Sequence, residues 1–202
     1  LCWILSILAI PIGESALDGS WRKGPWKTFF KEVNKVIPMS KLVAEDLGVV
    51  LSETEKILEK YNIPGMKVLQ QRIPSNINHD EIHPSEWKEN LIAYTGTHDS
   101  CTIKQWFDES NKIQRKYFDN YKQELNFKLN NDVWDFISLV WESPAQVSVT
   151  TVQDLLELDK EARFNSPGTK IGNWGWRLKE MDQLNSSIKN LRALNETNSR
   201  SI

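Results

Sequence analysis

The stretch Leu91-Ile92-Ala93-Tyr94-Thr95-Gly96-Thr97-His98-Asp99 decides how this chain is read. Its apolar, strand-forming half ends in a turn of small residues that carries a histidine beside a carboxylate. A buried parallel strand delivers polar side chains to the rim of an α/β fold in this way. An ordinary strand end whose Asp99 caps the next turn looks the same. Upstream, Lys41-Leu42-Val43-Ala44-Glu45-Asp46-Leu47-Gly48 has a similar build, so two strand ends are each tipped with acid.

C-terminal to Asp99, the positions Ile113, Tyr117, Tyr121, Leu125 and Leu129 fall four apart, with Phe118 widening the face, and predict one long helix. Val133, Ile137, Val140 and Trp141 predict a second, broken at Ser143-Pro144. Residues 147–152, rich in Val and Thr, read as a strand, and Gln153-Asp154-Leu155-Leu156 as loop and short turn. Leu178, Met181, Leu184, Ile188, Leu191 and Leu194 form the stripe of a last helix, and the polar tail 196–202 is expected to fray.

Toward the N-terminus, Met66-Lys67-Val68-Leu69 reads as a strand followed by a polar loop over 70–90. Ser52-Glu53-Thr54-Glu55 has the form of a capping box opening a helix that buries Ile57 and Leu58 and stops at Ile63-Pro64-Gly65. Residues 42–44 read as a buried strand leading into Glu45. A short helix from Pro25 carries Trp26, Phe29, Phe30, Val33 and Val36, after a polar, turn-like 20–24. The apolar opening, 1–10, is far shorter than the ~20 residues of a membrane span and has no basic leader. It reads as a buried strand or core segment, and the lack of an initiator Met suggests a start inside a longer protein.

Strand–helix alternation with short breaks predicts an α/β protein with a parallel sheet. A full eight-stranded barrel takes ~250 residues. Four or five strand units in 202 residues amount to about half of one, read as a single domain over 1–202. A smaller open α/β sheet is the competing arrangement.

A hydrophobic content of 40%, a charged content of 26% and a net charge of −2 give no attraction for nucleic acid or anionic membrane. Two cysteines, Cys2 and Cys101, are too few for a disulfide framework and point to a reducing, cytoplasmic setting. Nine Trp allow sugar stacking without requiring it, since most Trp fill core volume.

The sequence contains neither G-x-x-x-x-G-K-[ST] nor G-x-G-x-x-G, the phosphate-cradling patterns, nor a G-x-S-x-G elbow. His79 and His83 are four apart, but Pro84 disfavours a helical His83 and no nearby Cys completes a metal site, so a solvated loop is the better reading. Glu45 and Asp99 remain. Carboxylates at the ends of separate strands can face one pocket and carry out glycoside chemistry, one protonated toward the leaving oxygen and the other ionised beside the cationic sugar. Part burial behind Val43 and Ala44 would suit Glu45 to the first role, and His98 at its side would suit Asp99 to the second. On spacing alone, salt bridges and helix caps account for both equally well.

The literal strings go further. Ala44-Glu45-Asp46-Leu47-Gly48, Pro64-Gly65-Met66-Lys67-Val68-Leu69-Gln70 and Tyr94-Thr95-Gly96-Thr97-His98-Asp99 resemble successive blocks of the amylomaltase family, the bacterial 4-α-glucanotransferases and plant disproportionating enzymes of glycoside hydrolase family 77. Val152-Gln153-Asp154-Leu155-Leu156, Ala162-Arg163-Phe164-Asn165-Ser166-Pro167-Gly168-Thr169 and Gly172-Asn173-Trp174-Gly175-Trp176-Arg177 continue the match in order. The resemblance implies the C-terminal half of a (β/α)8 barrel, roughly its last four strands, that moves α-1,4-glucan segments from a donor maltooligosaccharide to a glucose or glucan acceptor with retention. It implies Glu45 as general acid/base, Asp99 as the carboxylate that stabilises the transition state, and His98 as a ligand of sugar hydroxyls. Asp46 and Asn165 would help shape the donor site. No metal or organic cofactor is implied, and the compartment would be the cytoplasm, or a plastid for a plant-type source.

Two departures stand out. The family's nucleophilic Asp, in an R-I-D-H-F-R-G-F-type segment, would align just before Leu1, and Leu1-Cys2-Trp3-Ile4-Leu5-Ser6 does not resemble that segment. The family's T-H-D-N-D-T reads Thr97-His98-Asp99-Ser100-Cys101-Thr102, and its F-A-F is replaced by Gln71-Arg72-Ile73, which removes a stacking surface. A lost carboxylate at 101 would alter the hydrogen bonds that orient Asp99. The alternative reading is therefore a catalytically inactive fragment that at most binds α-glucan.

Overall fold

A computed structural model describes residues 4, 6–47, 52–76 and 83–200, which fall into two compact units, 1–66 and 67–202. Cys2, the capping-box side chains of Ser52 and Glu53, and His79 lie outside what is described.

The first unit opens with an antiparallel hairpin, β1 (Ser6–Ala9) against β2 (Ser20–Lys23), in the register Ile7↔Arg22 and Leu8↔Trp21. The expected buried strand is thus half of an exposed hairpin, and the expected turn at 20–24 is its partner. Ile7, Ile10 and Trp21 stay exposed, and Ile12 and Leu17 in the connection almost fully so. Helix α1 (Trp26–Val33) buries Phe30, and Val36 lies beyond its end, exposed. Helix α2 (Ser52–Tyr61) buries Ile57 and Leu58 as its spacing predicts. It ends where Asn62 takes a left-handed φ of 51° and Ile63 N–H reaches back to Leu58 O at 2.9 Å. Phe30, Met39, Ala44, Ile57, Leu58 and Ile63 form this unit's core. The run 42–47 has no regular secondary structure and joins no sheet: Ala44 N–H bonds Pro64 O at 2.9 Å, and Val43 is exposed. The strand expected there is not found, because one such bond does not make a ladder.

β3 (Gly65–Val68) leads into a three-stranded sheet of order β3-β4-β5, with β4 (Leu91–Tyr94) and β5 (Val147–Val149) parallel in the register Ala93↔Ser148. β4 buries Leu91 and Ala93 on alternate positions. The polar loop expected after β3 instead begins with a helical turn, α3 (Leu69–Arg72), and buries Ile73 and Trp87.

The long helix expected over 113–129 is the second of two helices after Asp99. The first is α4 (Ile103–Glu109), capped by the Thr102 hydroxyl, which accepts from Gln105 N–H at 3.2 Å. The second is α5 (Lys112–Glu124), which opens with a reciprocal capping box between Asn111 and Gln114. Leu125 leaves the helix with ψ 130°, so Leu125 and Leu129 meet the core from a loop. α6 (Asp132–Trp141) has nine of its ten residues buried from Val133 to Trp141, and is the central post of this unit. Its Phe136 meets the rings of Trp106, Phe107 and Phe118 at 5.2, 6.0 and 5.9 Å. Asp135, buried on the same helix, pairs with Lys122 Nζ at 2.9 Å.

The expected loop at 153–156 is a helical turn, α7 (Val152–Leu155), capped by Thr151. The last helix, α8 (Asn185–Thr197), starts later than its apolar stripe suggests; Leu178 and Met181 precede it and Met181 is exposed. The helix continues to Thr197, and the Arg200 guanidinium donates to the carbonyls of Trp141, Ala145 and Ser143 at 2.7, 2.8 and 2.5 Å.

Candidate active site

The loop from the end of β4 to the start of α4 carries His98 and Asp99, and one buried carboxylate fastens both its ends. Asp154 on α7, only 2% exposed, accepts the Thr95 hydroxyl at 3.2 Å and the Ile103 N–H at 2.7 Å. Thr95 also pairs with the Thr150 hydroxyl at 3.0 Å, and its N–H reaches Val149 O at 3.1 Å, so the ends of β4 and β5 are joined beyond the ladder. Burial pushes the Asp154 carboxyl above its ordinary pKa, and the bonds from Ile103 N–H, Thr151 and Thr95 only partly oppose this.

Inside the loop, Thr97 N–H donates to Ser100 Oγ at 2.9 Å, Ser100 N–H returns to Thr97 O at 3.0 Å, and Asp99 N–H points to Thr97 Oγ1 at 3.3 Å. Gly96 is required by contact. A Cβ there would meet Gln70 Nε2 at 2.9 Å and Ser100 Cβ at 3.0 Å. Gln70 in turn donates to Cys101 O at 2.9 Å and accepts from Cys101 Sγ at 3.4 Å. Cys101 thus engages Gln70. Burial pushes its thiol pKa up more than neighbouring Arg163 draws it down.

Asp99 is half-exposed, with His98 Nε2 at 3.4 Å from its Oδ1. Asn165 Nδ2 donates to the same oxygen at 2.5 Å. Arg163 braces the arrangement through the backbone: Nη2 donates to Asp99 O at 3.1 Å and Nε to Asn165 O at 2.9 Å. The His98 ring lies 5.2 Å from Trp174, and Phe164 meets Trp174 edge-on at 4.9 Å. A cavity of about 380 Å³ opens beside this loop, lined among others by His98, Cys101, Thr151, Arg163, Phe164 and Trp176. One carboxylate oxygen that accepts from an amide and lies near a ring-flanked histidine, beside a cavity, can hold sugar hydroxyls and stabilise positive charge.

Three of the predicted site residues, His98, Asp99 and Asn165, are therefore brought together in the second unit. Glu45 and Asp46 belong to the first. Glu45 is exposed on the irregular 42–47 run, so the expected part burial is not found. Asp46 is buried: its Oδ1 accepts Met66 N–H at 2.7 Å, and a Cβ on Gly65 would strike its Oδ2 at 2.7 Å. Its carboxylate is committed to its own unit's backbone. Among the described residues no group of three or more His, Cys, Asp or Glu could hold a metal ion. His83 lies against Tyr121 and bonds Ser85.

A sequence model of the family described as 4-alpha-glucanotransferase matches residues 4–184. The chain belongs to the 4-α-glucanotransferase family. It is 37% identical over 183 residues to a 4-alpha-glucanotransferase of Synechocystis sp., covering 89% of this chain and 35% of that protein. With the chloroplastic/amyloplastic 4-alpha-glucanotransferase of Arabidopsis thaliana it shares 33% over 183 residues, 89% of this chain and 31% of the relative. The chain thus spans about a third of the length of these curated relatives. In structure it is similar to the amylomaltase from Streptococcus agalactiae in complex with acarbose, with a TM-score of 0.85 and 27% identity over 98% of this chain and 40% of that one. A TM-score of 0.65 at 14% identity to the amylomaltase from Corynebacterium glutamicum speaks for the fold alone. The observed fold is accordingly a mixed α/β arrangement of amylomaltase type. No helix among the described residues is long and apolar enough to cross a membrane.

Reading the sequence of this 4-α-glucanotransferase family member did not single out Arg163, Trp174, Gln70 or Asp154. All four lie within its family-like blocks, but residue type alone does not separate a buried brace from a solvated surface group. In the replaced aromatic segment, Ile73 faces the core while Gln71 and Arg72 are exposed.

Proposed function

We propose that this chain supplies the acid/base and transition-state carboxylates of an α-1,4-glucan transferase, within the C-terminal half of a (β/α)8 catalytic domain that includes both compact units. The observation that carries the reading is the Asp99 cluster, one carboxylate oxygen held by Asn165 and flanked by His98, which lines a cavity, in a chain of this family. Glu45 protonates the oxygen of the departing glucan and later takes the proton of the acceptor hydroxyl. Asp99 stabilises the cationic sugar, and His98 binds its hydroxyls. Asn165 fixes the orientation of Asp99, and Asp46 supports the donor site indirectly, through the backbone at Met66. A retaining double displacement also takes a nucleophilic carboxylate. Donor and acceptor are maltooligosaccharides or glucose, no cofactor takes part, and the setting is the cytoplasm or a plastid.

The test joins this chain to the preceding two-thirds of the Synechocystis relative and supplies maltotriose. Transfer yields glucose together with oligosaccharides longer than the substrate, and Glu45→Gln and Asp99→Asn each abolish them. Glucose and maltose with no longer product would replace transfer by hydrolysis. No product from a folded chimera would favour the inactive, glucan-binding fragment.

A further inference from the structure

Four tryptophans of the second unit, Trp87, Trp106, Trp134 and Trp141, are core residues, each at most 6% exposed. Trp174 is not: it is 52% exposed and lies beside the Asp99 cluster. A singly exposed apolar residue is ordinary, but an exposed one that the surrounding chain holds rigidly in place is not. Trp174 has a left-handed φ of 64°, a conformation uncommon for a bulky side chain and kept only where the surroundings impose it. Three contacts do so. Its N–H donates to Phe164 O at 2.8 Å, its carbonyl accepts Arg177 Nη1 at 2.9 Å, and the Phe164 ring stands against the indole at 88° and 4.9 Å. Gly172, at φ 85°, turns the chain just before it. The backbone is thus bent and braced in a way that keeps a large aromatic face in solvent, with the His98 ring 5.2 Å away and tilted by 36°.

We infer that Trp174 is a sugar-stacking residue: the platform for a glucosyl ring of an α-1,4-glucan next to the ring that meets His98 and Asp99. The inference rests on the glucan reading above and adds to it a residue that sets how many sugars the site grips. The C–H bonds on the flat face of a glucosyl ring carry partial positive charge, and the indole face is negative, so the two attract while hydrophobic area is buried. Because the indole is already held, little freedom is lost on binding.

The experiment measures binding of maltohexaose to the 202-residue chain by calorimetry, with Trp174→Ala, Trp174→Phe and Asp99→Asn as variants and a thermal melt of each. Trp174→Ala is expected to weaken binding about threefold to tenfold without lowering the melting temperature, and Trp174→Phe to restore most of it. Weaker binding in Asp99→Asn with wild-type binding in Trp174→Ala would overturn the stacking role and leave the site reading intact. A sharply lower melt for Trp174→Ala, or no rescue by Phe, would make Trp174 a structural residue and also overturn it. No maltohexaose binding by the wild-type chain would remove both.

Discussion

Asp154 serves two elements with one carboxylate, so truncating it does more than delete a side chain. Asp154→Ala leaves the Ile103 N–H and the Thr95 hydroxyl buried without their acceptor, at a cost of roughly 2–4 kcal/mol, read from urea unfolding. Asp154→Asn keeps an acceptor for Ile103 and is expected to cost less. The charge also has a pH signature. Burial raises the folded-state pKa above the ordinary 3.8, so the folded protein holds this proton more tightly than the unfolded one. Its contribution to stability is greatest below the unfolded value, falls as pH rises toward the raised folded value, and is flat above that. Asp154→Asn should flatten that segment of the stability profile, and an unchanged slope would contradict the assignment. Asn165→Ala removes the donor to Asp99 Oδ1 at an exposed position. It should leave the melt within about 1 °C of wild type, a surface effect, while lowering transfer by the chimera about tenfold or more. At this scale the sequence announced His98, Asp99 and Asn165 through their strings. It did not announce Asp154, because nothing in V-Q-D-L-L says that the carboxylate turns inward.

Among the elements, α6 carries the largest share of the packing. Phe136→Ala would open a void among three other aromatic rings and cost about 3–5 kcal/mol. Against a total of about 5–15 kcal/mol for a typical domain, that should leave a partly unfolded population visible by near-UV circular dichroism. The turn after β4 is the element most sensitive to a single methyl. Gly96→Ala must displace Gln70 or Ser100, shifting the loop that holds Asp99. Weaker maltohexaose binding with a modestly lower melt is expected, and full binding would show that the loop adapts. Elements marked by an apolar stripe or run, α2, α6 and β4, were readable from the chain. Those set by contacts were not. The stripe from Ile113 to Leu129 continues past the end of α5 because Leu125, buried, and Leu129, partly buried, meet the core from a loop, and apolar spacing does not record where the backbone turns. The hairpin β1–β2 was missed for the complementary reason: an apolar run reads as buried, yet this one is exposed.

For the whole molecule, the surface of the first unit is the unusual feature. Ile7, Ile10, Ile12, Leu17 and Trp21 are all exposed on or beside one hairpin, and apolar surface of this kind promotes association. The isolated 202-residue chain is expected to self-associate as concentration rises, measured by light scattering, and Ile12→Lys with Leu17→Lys should suppress it. A monodisperse monomer at high concentration would contradict this. The division into two units also limits what strings can say: Glu45 and Asp99 are each read from their own block, one in each unit.

The Arg200 clasp has a kinetic meaning. Three carbonyls around the turn after α6 are satisfied by a cation from a residue more than fifty positions later, so that turn is finished only when α8 has docked. Release of the last helix and opening of the turn should then be one event, and the slow amide protons of both segments should exchange at a common rate rather than as separate populations.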